Sequence, residues 1–286
     1  MQLQAFAKIN LDLRVLGGRQ DGYHEVRTVL QTIDWADEIQ IGPSDRFEFV
    51  AHGMEADEDN LVVRALRAFE ALTGEVVRAR IELFKHLPRG AGLGGGSANA
   101  AVTLLGLQLL YGPEIPQQDL LHALGQIGSD VPFFAFGGKA LGVGRGNEIV
   151  PMEEDPEYHL VLVVPPLAIA TRDAYSWLTV SDKSNIISRF CAQPVSARGE
   201  DEPRNDFESV VFPRYPLLRE IQNEILKTGA ERAALSGTGS ATFGIYRSSE
   251  DARKAALILR RFGTVKVARS LSRAEYLRRI WGGAKW

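Results

Sequence analysis

Pro88-Arg89-Gly90-Ala91-Gly92-Leu93-Gly94-Gly95-Gly96-Ser97-Ala98-Asn99 holds five glycines in seven residues and runs directly into a helical pattern. Glycine lets the backbone approach a ligand closely and adopt positive φ. A helix start adds unpaired N–H groups and a partial positive charge. Together these predict a phosphate cradle. Gly90, Gly92 and Gly95 also match the dinucleotide spacing G-x-G-x-x-G. That reading needs a second parallel strand ending in an acidic residue about 20 positions on. Residues 111–119 form a Pro-containing loop instead, so Glu114 and Asp119 are poor candidates. A Walker A loop needs Lys before Ser, and Gly96 stands there. A plain flexible turn is the simplest alternative, although five glycines carry a considerable entropic cost.

Downstream, about Ala98 to Leu110 reads as an amphipathic helix with the stripe Ala101, Leu104, Leu105 and Leu109. Gly112, Pro113 and Pro116 end it. Gln117–Leu124 is a short helix, Gly128–Pro132 a turn, and Phe133–Val143 a stretch of aromatics and glycines. Upstream, Val76–Leu87 reads as a strand, and Leu61–Leu72 as a helix with Asn60 as its N-cap. Strand-like pieces occupy Glu38–Ile41 and Arg46–Val50, and a Gly17–Gly22 loop precedes Tyr23-His24. Leu3–Val15 alternates with period two and predicts a half-buried strand. Lys8 and Asn10 project from its polar face about 6–7 Å apart, and the ordinary reading of that face is solvation.

Acidic Met152–Glu157, with Pro151 and Pro156, marks the expected boundary between a domain at 1–152 and another at 153–286. The second half opens on a buried-strand run, Leu160–Val164. A helix near Arg172–Leu178, the polar stretch Ser181–Arg204 and a helix near Leu217–Lys227 follow. Ala233–Ser236 and Ala241–Tyr246 read as a hairpin around Gly237-Thr238-Gly239-Ser240. Helix Ser249–Arg261 and strand Thr264–Ala268 finish the pattern. Without a steady βαβ rhythm, the fold class is α+β. No internal repeat is present.

Pro88–Ala98 followed by Asn99-Ala100-Ala101 resembles the central phosphate loop of the GHMP kinases. Ala7-Lys8-Ile9-Asn10-Leu11, Asp21-Gly22-Tyr23-His24-Glu25 and Gly128-Ser129-Asp130-Val131-Pro132-Phe133-Phe134 narrow the match to its branch acting on a cytidine-diphosphate sugar alcohol of the non-mevalonate isoprenoid pathway. Asp59-Asn60-Leu61-Val62, Asn205-Asp206-Phe207-Glu208 and Ser236–Ser240 also fit, so the resemblance spans residues 7 to about 243. It implies a two-domain fold with an N-terminal domain carrying the glycine loop and a C-terminal ferredoxin-like α/β sandwich. It implies ATP and Mg²⁺, and transfer of the γ-phosphoryl to a tertiary 2-hydroxyl. Lys8 and Asp130 become the catalytic pair. Pro88, Arg89, Gly90, Ala91, Gly92, Leu93, Gly94, Gly95, Gly96, Ser97 and Ala98 wrap the ATP phosphates, with Asn60 and Leu61 near the adenosine. Asn10, Tyr23, His24 and Tyr175 bind substrate, the last three at the cytidine end. Where many relatives have Ser-Ser-Asp, this chain has Ser97-Ala98-Asn99, which leaves Ser97 the better candidate metal ligand.

Phosphoryl transfer is mainly positioning and charge stabilisation. A carboxylate within reach can take the alcohol's proton, and a lysine beside it holds it ionised and favours orientation over strong abstraction. Taken alone, Asp130 reads equally as a turn residue. Tyr23 and Tyr175 sandwiching a pyrimidine, and His24 reading its edge, compete with ordinary core packing.

The remaining features exclude more than they add. A net charge of −3 argues against a whole-surface nucleic-acid binder. The lone Cys191 rules out an internal disulfide and a multi-cysteine metal site, and suits a reducing compartment. Met1–Gly17 has no signal-peptide core, and Ala100–Leu110 and Leu160–Ala170 are too short to span a bilayer. A cytoplasmic protein with a small-molecule substrate and no nucleic-acid or membrane partner is expected; no oligomeric state is predicted. His24-Glu25 opens a zinc-protease pattern that Thr28 breaks, and no G-x-S-x-G elbow occurs. Residues 253–285 carry ten Lys or Arg and one acidic residue, Glu275, and read as a solvated face with counterions rather than an anion-attracting field. Another GHMP small-molecule kinase, a non-catalytic nucleotide-binding regulator on the same scaffold and a dinucleotide oxidoreductase are the competing functions. Retention of both Lys8 and Asp130 favours catalysis over regulation.

Overall fold

Strand β1 (Gln2–Gly18) pairs antiparallel with β2 (His24–Pro43) over nearly its whole length. The computed structural model describes residues 1–112, 114–178 and 204–281. Pro113, most of the Ser181–Arg204 stretch with Cys191, and Lys285 lie outside the described residues. β1 is not half-buried as its alternation predicts: residues 5–16 are all buried, Lys8, Asn10, Asp12 and Arg14 included. The cause is its position. Its early residues pack into one core, Ala7, Ile9 and Leu11 into a second, and Leu13 and Val15 into a third. The edge away from β2 is covered as well. Lys8 N–H donates to Leu93 of the glycine loop (3.0 Å), and Leu13 N–H to Arg204 (2.8 Å). What reads as a solvated polar face therefore lines an interior cleft.

The first sheet has the order β3-β4-β2-β5-β6, with β1 on β2; β3 is Glu48–His52, β4 Ala79–Phe84, β5 Lys139–Val143 and β6 Glu148–Pro151. β4 is shorter than the expected strand, and Val76 is exposed. Helices α1 (Leu61–Thr73), α2 (Gly95–Tyr111), α3 (Gln117–Ile127) and the short α4 (Phe133–Phe136) belong to this half. Asn60 does cap α1, its side chain accepting from Val62 N–H. Helix α2 departs from expectation. It starts at Gly95, so Gly95, Gly96 and Ser97 form its first turn. It is not amphipathic either: Ala98 through Leu107 are all buried, while the predicted stripe residue Leu109 is 47% exposed. A helix apolar on every side is one enclosed on every side. α2 packs against both long strands and against α1 and α3.

The second sheet, β10-β7-β9-β8, contains β7 (His159–Val164), β8 (Arg232–Leu235), β9 (Thr242–Tyr246) and β10 (Thr264–Arg269). All neighbours are antiparallel, and β8–β9 is the expected hairpin. Helices α5 (Thr171–Ser176), α6 (Glu208–Arg214) and α7 (Pro216–Lys227) connect β7 to β8; α8 (Ser249–Leu259) connects β9 to β10. Strand order four-one-three-two with helices in both crossovers is the ferredoxin-like arrangement. Val161 and Val163 of β7 pack with Leu218, Ile221 and Ile225 of α7; Leu160 and Leu162 share a core with Ile9 and Leu11 of β1. The chain thus has the two-sheet α+β architecture that the sequence resemblance implies.

Helix α9 (Arg273–Trp281), which the hydrophobic pattern misses, returns to the first half, where Leu271, Tyr276 and Ile280 join its core. Arg269 braces that return against Asp34 (3.5 Å), Glu157 (2.6 Å) and Glu275 (2.5 Å). Lys254, Arg261 and Arg279 also meet carboxylates, as expected of a basic segment with counterions.

Candidate active site

The glycine loop is held by close backbone contact. Gly92 has φ 75°, and a Cβ there would sit 1.9 Å from the Ser236 carbonyl oxygen of the β8–β9 turn. Ser236 Oγ donates to Gly92 O (2.8 Å), and Ala241 N–H to Ala91 O (3.1 Å). Gly94, at φ 69°, occupies the N-cap of α2, and no side chain caps that helix. Its first N–H groups stay available to an anion. A Cβ on Gly94 would meet Phe134 at 2.8 Å and the Lys8 stem at 2.9 Å, so loop and lysine are fitted together.

Lys8 is buried, and its Nζ donates to Asn10 Oδ1 (2.5 Å) and Gly92 O (2.9 Å). Asp130 Oδ2 lies 3.7 Å away, on a side chain 41% exposed. Burial pushes the Lys8 ammonium below the usual lysine range, and the Asp130 carboxylate pulls it back. An alcohol entering from solvent therefore meets the carboxylate first, with the ammonium behind it.

Two cavities meet at this pair. One, of about 440 Å³, is lined by Asn60, Leu61 and the loop from Pro88 to Ser97. Ala98 is the exception among the predicted loop residues: it faces the core. The other, of about 720 Å³, is lined by Lys8, Asn10, Tyr23, His24 and Tyr175. Gly92, Ser97, Asp130 and Thr171 line both. The predicted residues thus form one cleft with Asp130 at its waist. A larger groove, about 840 Å³, between β3, α1 and α3 holds none of them.

At the far end of the cleft, the His24 ring lies tilted by 32° against Tyr175 with centroids 4.8 Å apart, and Phe207 meets Tyr175 edge-on at 4.8 Å. Tyr23 stands apart, 52% exposed, with the Arg145 guanidinium 4.6 Å over its ring. Burial lowers the His24 pKa, favouring the neutral imidazole, and raises that of the Tyr175 phenol, which stays protonated.

Several residues of the cleft escape the sequence reading. Lys85 lines the loop cavity, paired with buried Asp37, which also accepts from His86 N–H (2.7 Å) and Leu87 N–H (2.8 Å). Lys85 sits at the strand-to-loop junction, where no periodicity marks it. Arg145 and Arg172 bring cations to the aromatic cavity from loop and helix start. Asn205, quoted above in its motif but given no role, ties the β8–β9 turn down, donating to Leu235 O (3.0 Å) and Gly237 O (2.7 Å). Asn99 Oδ1, two residues beyond Ser97, is buried without a partner while its residue lines the loop cavity. Among the described residues, no three His, Cys, Asp or Glu side chains cluster as a metal centre.

Comparison with known proteins agrees with this fold. The family model for the GHMP kinases N terminal domain matches residues 60–138, and that for GHMP kinases C terminal matches 192–265. The 4-diphosphocytidyl-2-C-methyl-D-erythritol kinase of Solibacter usitatus is 40% identical, the match covering 98% of this chain and 91% of that one. The enzyme of the same name from Chlorobaculum tepidum is 37% identical over 89% and 92%. A crystal structure of 4-(cytidine 5'-diphospho)-2C-methyl-D-erythritol kinase superposes with TM-score 0.80 at 33% identity, over 94% of this chain and 99% of that one. Homoserine kinase from Cytophaga hutchinsonii, at 19% identity and TM-score 0.74 over 95% and 94%, shares the fold.

Proposed function

This chain belongs to the GHMP kinases, among the 4-diphosphocytidyl-2-C-methyl-D-erythritol kinases, and from that premise we propose that it phosphorylates the 2-hydroxyl of that sugar alcohol with ATP. It is a small-molecule kinase of the non-mevalonate isoprenoid pathway. The observation that carries the reading is the Lys8–Asp130 pair, 3.7 Å apart where the loop cavity meets the aromatic cavity.

Asp130 orients the acceptor hydroxyl and takes its proton as the new O–P bond forms and the bond from the γ-phosphorus to its bridging oxygen breaks, releasing ADP. Lys8 stabilises the charge developing on the attacking and transferred oxygens. Its carbonyl contact with Gly92 couples its aim to the loop that wraps the phosphates. The helix start at Gly95 adds N–H donors for those phosphates. Asn60 and Leu61 border the adenosine. Tyr175, Tyr23 and neutral His24 hold the cytosine, by stacking and by edge hydrogen bonds. Asn10 meets the erythritol end beside Lys8.

The residues present fit Mg²⁺. The buried, unpartnered Asn99 amide oxygen and the Ser97 hydroxyl are the oxygen ligands a hard cation takes, directly or through water, beside phosphates. Ser97 is the first candidate to hold it. The ion would neutralise phosphate charge and polarise the transferred group.

We divide the chain into an ATP-binding domain at 1–152 and a second domain at 153–286, on the change of sheet between β6 and β7, with α9 of the second returning to pack in the core of the first. We place the enzyme in the cytoplasm with a small molecule as its partner and neither nucleic acid nor membrane, on its balanced charge. Among the described residues, no helix is long and apolar enough to cross a membrane.

The test is coupled ADP release with ATP and Mg²⁺, offering 4-diphosphocytidyl-2-C-methyl-D-erythritol beside mevalonate and homoserine. ADP formed only with the cytidylyl substrate supports the reading. Turnover of either other alcohol, or of none despite ATP binding, removes it.

A further inference from the structure

We propose that Thr28 is a positioning residue for phosphoryl transfer, fixing the orientation of the Asn10 amide and, through it, the Lys8 ammonium. Thr28 lies on β2 and is buried. Its hydroxyl donates to Asp12 O (2.8 Å), which uses its single proton. Only lone pairs remain, and one accepts from Asn10 Nδ2 (2.8 Å). The amide is thereby committed, with Oδ1 turned to Lys8 Nζ at 2.5 Å. The flipped amide would set N–H donors against the ammonium and a carbonyl oxygen against a hydroxyl whose proton is spent. Both ends of the relay would then be wrong together.

The hydroxyl itself is held in place. Thr28 pairs with Gly142 of β5, and a Cβ on Gly142 would stand 3.1 Å from the Thr28 methyl. The methyl thus fills the Gly142 side and leaves Oγ1 toward β1. A register shift between Asn10 and Asp12 re-aims β1 at this point. Thr28 borders the same cavity as Lys8 and Asn10 and reaches the lysine through the Asn10 amide. It supplies direction to a lysine whose other fixed partner is a loop carbonyl, Gly92 O.

The inference rests on the phosphoryl-transfer reading above. Wild-type turnover of the cytidylyl substrate tests that reading; the variants test only the relay. Thr28→Val, Thr28→Ser, Asn10→Ala and the Thr28→Val/Asn10→Ala double variant are compared by kcat, by KM for ATP and by thermal melting. Loss of the relay is expected to lower kcat of Thr28→Val about 10-fold, equivalent to ~1.4 kcal/mol, with KM for ATP little changed. Thr28→Ser keeps the hydroxyl and restores kcat. In the Asn10→Ala background, Thr28→Val adds less than about a twofold loss, because residues acting through one another are not additive. Fully additive losses, a Ser variant as slow as the Val variant, or a rise in KM for ATP without loss of kcat would each overturn the proposal. If Thr28→Val fails to fold, Thr28→Ala is judged by the same readouts.

Discussion

Replacing Gly92 by alanine tests whether the glycine loop aims Lys8. The new Cβ would start 1.9 Å from the Ser236 carbonyl oxygen and must move beyond 3.0 Å, so the loop and the β8–β9 turn separate by about 1 Å. The φ of 75° adds a left-handed penalty of ~1–2 kcal/mol. Two hydrogen bonds cross this seam, from Ser236 Oγ and Ala241 N–H, and Lys8 Nζ donates to the same Gly92 carbonyl from β1. A misplacement near 1 Å costs about 100-fold in rate when it shifts a reacting group. We therefore expect Gly92→Ala to fold, to lose about two orders of magnitude in kcat, and to bind ATP more weakly. Gly74→Ala is the control: it has φ 72° and open space around it, at the C-cap of α1 far from the cleft. It should cost about 1 kcal/mol, seen as a fall of roughly 2–4 °C in Tm, with kcat intact. Coupled ADP release gives the rates and thermal melting the stabilities. A folded Gly92→Ala enzyme with wild-type kcat would refute the coupling of loop to lysine.

Asp130→Asn should abolish most turnover while calorimetry still detects ATP binding; near-wild-type kcat would remove Asp130 from the chemistry. Tyr175→Ala loses a stacking platform worth about 1–3 kcal/mol, so KM for the cytidylyl substrate should rise far more than KM for ATP, and equal rises would count against the assignment. His24 has its pKa lowered by burial, so its ring stays neutral down to a pH below the ordinary histidine value. KM for the cytidylyl substrate should accordingly stay flat through neutral pH and climb only as acid protonates the ring; a climb that begins above the ordinary value, or persists in His24→Gln, would contradict this.

The sequence is most legible where local chemistry decides the structure. The Asn60 cap, the β8–β9 hairpin and the buried run of β7 all follow from short-range signals. It is least legible where distant chain supplies the environment. Lys8, Asn10, Asp12 and Arg14 alternate like a wet strand face, yet they are buried by segments roughly 80 to 190 residues away. Helix α2 looks amphipathic because its pattern ends in leucines, but Leu109 projects beyond the elements that enclose the helix. Helix α9 hides behind its arginines although a capping signal is present: Ser272 Oγ accepts from Glu275 N–H (3.3 Å). The site was legible through clustered motifs around the loop. Lys85, Thr28 and Arg145 were not, since each is a single polar residue whose partner lies elsewhere in the chain.

The covered edge of β1 has a consequence for biosynthesis. This strand leaves the ribosome well before its partner, for Val15 N–H finds the Asp206 carboxylate 191 residues later in the chain. At about 5–20 residues per second, roughly 10–40 s of translation separate the two. During that interval a buried lysine, an asparagine and a row of apolar side chains have no completed home. The burial of β1 is thus completed only once Asp206 has been made, and until then the strand must be kept from pairing elsewhere.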